Sequence, residues 1–467
     1  MAQFSTLIRG GRVVTEAGTL HLDIGVIGER IAALMAPGMT EDAGEIIEAG
    51  GAYVVPGAID THTHIRVPVG DEESGDDFDS ATAAALVSGT TTIIDFIHTS
   101  RDESPLSAAE KRLAMAEGSC AADYSFHPIL TSASAQARAE ISTLVRSGFA
   151  SFKLFTTYPH QRLDDGEVWL LMRDIASAGG IPGLHTENHE LLTRLTGELE
   201  AAGRLAVSDF PASRPAVVEA ESIAMVARFA RHLETPAYIF HMSGGEGLQV
   251  LRDVRMSGVP VIGETCTHYL AFDHSVFQRP DAWKFVITPP IRDSLSREGL
   301  WEGIRDGSIS AIGSDHVAYT LKQKTSATDS FLTIPAGAPG LEVRVPMLLS
   351  EGVNAGRLTI EQFVAVTSGR PARVLGLHPR KGTIAVGSDA DLVLVDLDRP
   401  WAIEDGPSPS GAEWSIYGGR RGTGQPRLTM LRGQVVARDG TFVGDRGGGR
   451  FLERRISPTA LRQALAA

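Results

Sequence analysis

The sequence predicts an α/β fold: a (β/α)8 TIM barrel with a small β-sandwich built from both chain ends. Three observations carry this. Apolar or β-branched runs near 55–64, 90–97, 124–130, 150–156, 181–186, 237–242, 259–264 and 309–315 read as eight strands. Helical patterns at 107–118, 134–147, 166–178, 216–232 and 294–306 separate them, and eight strands alternating with helices close into a barrel. Both ends of the chain are strand-rich, and the first 55 residues are too few for a core of their own.

Taken in order, residues 1–55 read as short strands. Leu7–Val14 contains Gly10-Gly11, which predicts a hairpin, and His21–Val26 alternates as a half-buried strand does. The same style returns at Gly382–Asp396 and Leu428–Val436. The expected division is 1–55 with 380–446 for the sandwich, 56–379 for the barrel and 447–467 for a tail. Gly447-Gly448-Gly449 followed by Arg450–Arg455 reads as a flexible link into a basic tail.

Five predicted strands end in potential metal ligands. His62 and His64 stand two apart, so on a strand both imidazoles face one way. Alone, such a pair is either a metal site or two hydrogen-bonded histidines. Lys153, His185, His241 and Asp315 follow at later strand ends, where the C-terminal mouth of a parallel barrel gathers its functional groups.

With these residues in place, the chain resembles the amidohydrolase superfamily over nearly its whole length. Within it, the chain is most similar to the cyclic amidases: hydantoinase, dihydropyrimidinase, allantoinase and dihydroorotase. The resemblance implies two divalent metal ions, zinc or alternatively manganese, held by His62, His64, Lys153, His185, His241 and Asp315. It implies that Lys153 is carboxylated by carbon dioxide to bridge the ions, and that a hydroxide between them opens the ring of a cyclic amide. Asp315 would bind one ion and shuttle the proton. The chemistry fits the residues: a metal lowers the pKa of bound water to roughly 7. Histidine and carboxylate suit zinc or manganese, whereas a thiolate site needs cysteines this chain lacks. His316 and His268 read as supporting residues rather than ligands.

Tyr158, five positions after Lys153, matches the hydantoinase phenol that donates to the developing oxyanion. Thr288, in Thr288–Arg292, matches a position whose backbone meets the ring amide. Ile334–Gly337 departs from the family's Ile-Pro-Asn-Gly at Ala336, which keeps the backbone contact and loses the side chain. Arg66, His160 and Arg162 are basic or potentially basic, and they predict a pocket favouring a polar or anionic ring substituent over an aryl group. Alternatively, they are solvated loop charges. The expected activity is ring opening of a hydantoin, dihydropyrimidine or related ureide. The alternatives are an allantoinase or cyclic imide hydrolase, and a non-catalytic hydantoinase-like protein.

Bulk properties are compatible with this. A net charge of −14 argues against nucleic acid or an anionic membrane as partner. No run approaches the ~18–20 apolar residues of a membrane span. Two cysteines, Cys120 and Cys266, exclude a disulfide framework and point to a reducing, cytoplasmic setting. The first residues do not read as a signal peptide. The resemblance also implies a homotetramer, with the tail against a neighbouring subunit.

Overall fold

The computed structural model describes residues 2–466. Eight parallel strands form the barrel: Ala58–His64, Thr90–Ile97, Asp123–Pro128, Ser151–Phe155, Ile181–His185, Ala237–Ile239, Val261–Cys266 and Ile309–Gly313. The first three pair in order, as do the last five. Single contacts complete the ring. Leu130 N–H donates to Lys153 C=O at 3.0 Å, and Asp315 N–H donates to His62 C=O at 2.9 Å. Apolar side chains such as Ile59, Ile94, Phe96, Tyr238, Phe240 and Ile262 fill the interior.

Helices between the strands follow their sequence signals. Asp165–Ser177 starts at Asp164, whose carboxylate accepts from Glu167 N–H while the Glu167 side chain accepts from Asp164 N–H. Its buried residues, Val168, Leu171, Met172 and Ile175, recur at the spacing of one helical face. Three further helices, Phe78–Val87, His189–Ala201 and Gly245–Met256, also lie between the strands. The first is buried almost all round and shows no polar stripe, and the second buries only Leu199. The sixth and eighth strands end at Ile239 and Gly313, short of the expected limits. His241 and Asp315 beyond them adopt left-handed backbone, with φ of +38° and +51°, which leaves strand geometry.

The two chain ends share one nine-stranded sheet. Phe4–Thr15 lies at its centre, pairing with Gly18–Ile27, Ala43–Glu48 and Tyr53–Pro56. Tyr53–Pro56 pairs in turn with Leu392–Ala402, which brings in the C-terminal strands. Ile8, Val13, Ile24, Val54, Leu392, Leu394 and Met430 form its core. The expected hairpin at Gly10-Gly11 is instead a bulge within one strand. Gly10 takes φ of +67°, and its N–H leaves the ladder for the Asp23 carboxylate at 2.8 Å.

The tail is not a loose link. Leu452 N–H donates to Tyr124 C=O at 2.7 Å, and Leu452 and Arg454 are fully buried. The Arg454 guanidinium donates to Ser125 Oγ at 2.8 Å, Ser151 Oγ at 2.6 Å and the Phe126 carbonyl. Leu461 joins Val374 and Leu377 in the apolar cluster continuous with the barrel interior. No helix among the described residues is long and apolar enough to cross a membrane.

Candidate metal centre and substrate cleft

A cleft of about 320 Å3 opens at the C-terminal mouth of the barrel. His64, Lys153, His185, His241 and Asp315 line it, and His62 lies beneath, fully buried. Two groups of nitrogen and oxygen atoms converge there. His62 Nε2 lies 3.0 Å from Asp315 Oδ1 and 3.2 Å from His64 Nε2. His185 Nδ1 lies 2.9 Å from His241 Nε2, which is 3.3 Å from Lys153 Nζ.

Carboxylates behind the rings aim them. His62 Nδ1 meets Glu264 Oε1 at 2.7 Å, and His185 Nε2 meets Glu187 Oε2 at 2.8 Å. Each pairing holds the rear nitrogen on a carboxylate and leaves the other ring nitrogen facing the cleft, the arrangement metal-binding histidines use. Glu264 is itself held by Thr61 and Tyr238, and Glu187 by Arg214. Neither glutamate is among the ligand types read from sequence. An acid inside the apolar strand Val261–Cys266, and a second at the alternate position after His185, were the available signals.

Electrostatics show what the site draws in. Burial disfavours a proton on His62, but the Asp315 and Glu264 carboxylates outweigh it and raise the pKa above its ordinary value. Burial pushes neighbouring His64 down to about 4. Burial also raises the Asp315 carboxyl, yet the His62 charge and hydrogen bonds from His62 and His64 hold it well below the usual range. The trio therefore attracts positive charge into a buried pocket, and His241 Nδ1, also buried, has no hydrogen-bond partner among the described residues. These donors fit a divalent cation. Cys266 and His268 also lie near Asp315, but burial drives the Cys266 thiol well above its usual range, so it presents no thiolate. His316 faces away, with Nε2 3.3 Å from Asp76 Oδ2 and Nδ1 accepting from Gly340 N–H at 3.1 Å.

Lys153 is 1% exposed, with Nζ 4.1 Å from the Phe240 ring centre and 5.1 and 5.0 Å from those of Phe96 and Phe155. Burial lowers its pKa to about 7, so the neutral amine is accessible near neutral pH.

The side wall of the cleft holds Tyr158, Thr288 and Ala336. Tyr158 OH lies 2.5 Å from Thr288 Oγ1, and burial raises the phenol's pKa, keeping it a donor. Arg66, His160 and Arg162 do not line the cleft, which corrects their expected place around a substituent pocket. Arg66 is drawn to Glu73 at 2.6 Å and Arg162 to Glu190 at 2.8 Å, while His160 is exposed. Polar side chains that line the cleft besides Tyr158, Thr288 and the ligand set include His98, Gln161 and Tyr319. A larger cavity of about 600 Å3 lies where the sheet meets the barrel, away from this chemistry; there Arg373 pairs with Glu16.

Comparison with known proteins agrees with this geometry. The amidohydrolase family matches residues 53–163 and 220–436. A D-hydantoinase from Ralstonia pickettii is 37% identical, covering 96% of this chain and 98% of the relative. A D-phenylhydantoinase from Escherichia coli is 36% identical with the same coverage. A solved D-hydantoinase structure superposes with a TM-score of 0.94 at 36% identity, covering 97% of this chain and 99% of the other. By family match, near-complete coverage and fold, the chain belongs to the amidohydrolase family.

Proposed function

We propose that this protein is a metal-dependent cyclic amidase that hydrolyses a hydantoin, dihydropyrimidine or related ureide ring to the open N-carbamoyl acid. The observation that carries the reading is the pair of converging ligand groups in one cleft, with an aromatic-caged lysine 3.3 Å from His241 Nε2. The hydantoinase names of the relatives favour it over allantoin or cyclic imide hydrolysis.

His62, His64 and Asp315 would hold one divalent ion, and His185 and His241 a second, with Lys153 carboxylated between them. The His and carboxylate donors suit zinc, with manganese the alternative. When bound, the ions supply Lewis acidity toward water and the amide carbonyl. Lys153 supports the carbamate because burial makes its free amine accessible, and a free amine adds carbon dioxide. Asp315, kept ionised, accepts the proton of the attacking water and returns it to the leaving ring nitrogen. Tyr158, kept protonated, donates to the carbonyl oxygen as negative charge develops there. The Thr288 and Ala336 backbones form the wall that meets the ring amide.

A panel of hydantoin, dihydrouracil, allantoin, dihydroorotate and succinimide, offered to zinc-loaded protein and scored by ring opening, tests this. Hydantoin or dihydrouracil should be opened fastest. Opening of allantoin or succinimide alone would favour the alternatives, and no opening of any ring would remove the reading.

A further inference from the structure

Lys324 is fully buried, and among the described residues no carboxylate pairs with it. Its Nζ donates to three backbone carbonyls: Val286 at 3.0 Å, Pro335 at 2.7 Å and Gly337 at 2.8 Å. An ammonium has three N–H donors, and three carbonyls satisfy them all. The carbonyls belong to two segments far apart in sequence. Val286 precedes Ile287 and Thr288, Pro335 precedes Ala336, and Ile287, Thr288, Ala336 and Gly337 all line the cleft. Besides Lys324, a Gly337 N–H to Val286 C=O bond of 3.0 Å links the two segments.

The lysine is itself fixed from behind. It lies in the helix Leu321–Thr325, which Thr320 caps through Gln323 N–H. Gln323 Nε2 donates to Glu73 C=O at 2.9 Å, and Trp414 Nε1 donates to Tyr319 C=O at 2.8 Å. The Lys324 ammonium sits between the Tyr319 and Trp414 rings, 5.9 and 5.5 Å from their centres.

We propose that Lys324 is a positioning residue for the substrate, its ammonium clamping the Val286–Thr288 and Pro335–Gly337 segments at the spacing the ring amide requires. This rests on the cyclic amidase reading of the cleft. Burial alone lowers the Lys324 pKa well below its ordinary value; the three carbonyl acceptors oppose this by filling all the donors of the charged form, and filling them joins two walls of one site. Lys324 touches no reacting group; it acts through the backbone it holds.

The test is Lys324→Met, read in two ways on metal-loaded, folded protein. Backbone amide exchange in peptides spanning 284–288 and 333–340 should quicken at least about tenfold, with the rest of the barrel unchanged. With the best ring from the substrate panel, kcat/KM should fall by a factor on the order of 10², chiefly through KM, at unchanged metal content. Unchanged exchange in both segments would overturn the clamp, and faster exchange with kcat/KM within twofold of the parent would overturn the positioning role. Lys324→Gln, which keeps two donors, should fall between Met and parent in both readouts. It replaces the methionine variant if that one does not fold, and failure of both to fold would assign Lys324 to stability alone, overturning the proposal. If the parent opens no ring, the reaction reading fails, and exchange still decides the clamp.

Discussion

Arg66, Tyr158, His241 and Asp315 share a backbone property that sequence does not display. Each is a non-glycine residue with positive φ, at +51°, +76°, +38° and +51°. Such conformations cost about 1–3 kcal/mol each and persist only where surrounding contacts impose them. Tyr158, His241 and Asp315 line the cleft, whereas Glu234, Arg432 and Asp439, with φ of +51°, +45° and +53°, lie away from it. Tyr158 gives the sharpest prediction at this scale. Tyr158→Phe removes the phenol but keeps the ring packed on Phe155 and His185. Turnover should drop by a factor on the order of 10²–10³ at unchanged metal content. A rate within a few-fold of the parent would mean that the phenol does not stabilise the oxyanion. The histidines, Lys153 and Asp315 are legible in sequence because each is a polar interruption at the end of an apolar strand. The direction of Arg66, His160 and Arg162 is not, since it depends on Glu73 and Glu190, whose proximity only the fold creates.

At the scale of elements, strand positions are legible because barrel strands are buried on both faces and read as apolar or β-branched runs, broken by a few buried polar residues such as Asp60, Asp95 and Glu264. Phe78–Val87 is harder for the same reason: a helix buried nearly all round loses its period. The tail misleads because its glycines and arginines resemble a solvated linker. What holds it is tertiary, and glycines elsewhere make the room. Gly376 has φ of +78°, and a Cβ there would lie 2.5 Å from the Arg455 carbonyl oxygen. Gly118 has φ of +68°, with nothing within 4 Å of the same atom. Both alanine variants suffer the left-handed backbone, about 1–2 kcal/mol, but only Gly376→Ala also displaces the tail. Thermal unfolding should therefore show a lower midpoint for Gly376→Ala than for Gly118→Ala, with the tail peptide more open to proteolysis. Equal midpoints would mean that the tail adds no stability.

Across the whole molecule, the barrel brings ligand types from the first, fourth, fifth, sixth and eighth strands to one mouth. That gathering is legible because topology fixes which strand ends meet, whereas the supporting carboxylates Glu187 and Glu264 needed the structure. The central claim is that these residues form a two-ion centre bridged by a modified lysine. Anomalous scattering from crystals of fully active protein tests it most directly. The account predicts two divalent ions, one beside His62, His64 and Asp315 and one beside His185 and His241, with a carboxylate group on Lys153 Nζ touching both. A single ion beside an unmodified Lys153, in a fully active preparation, would contradict it.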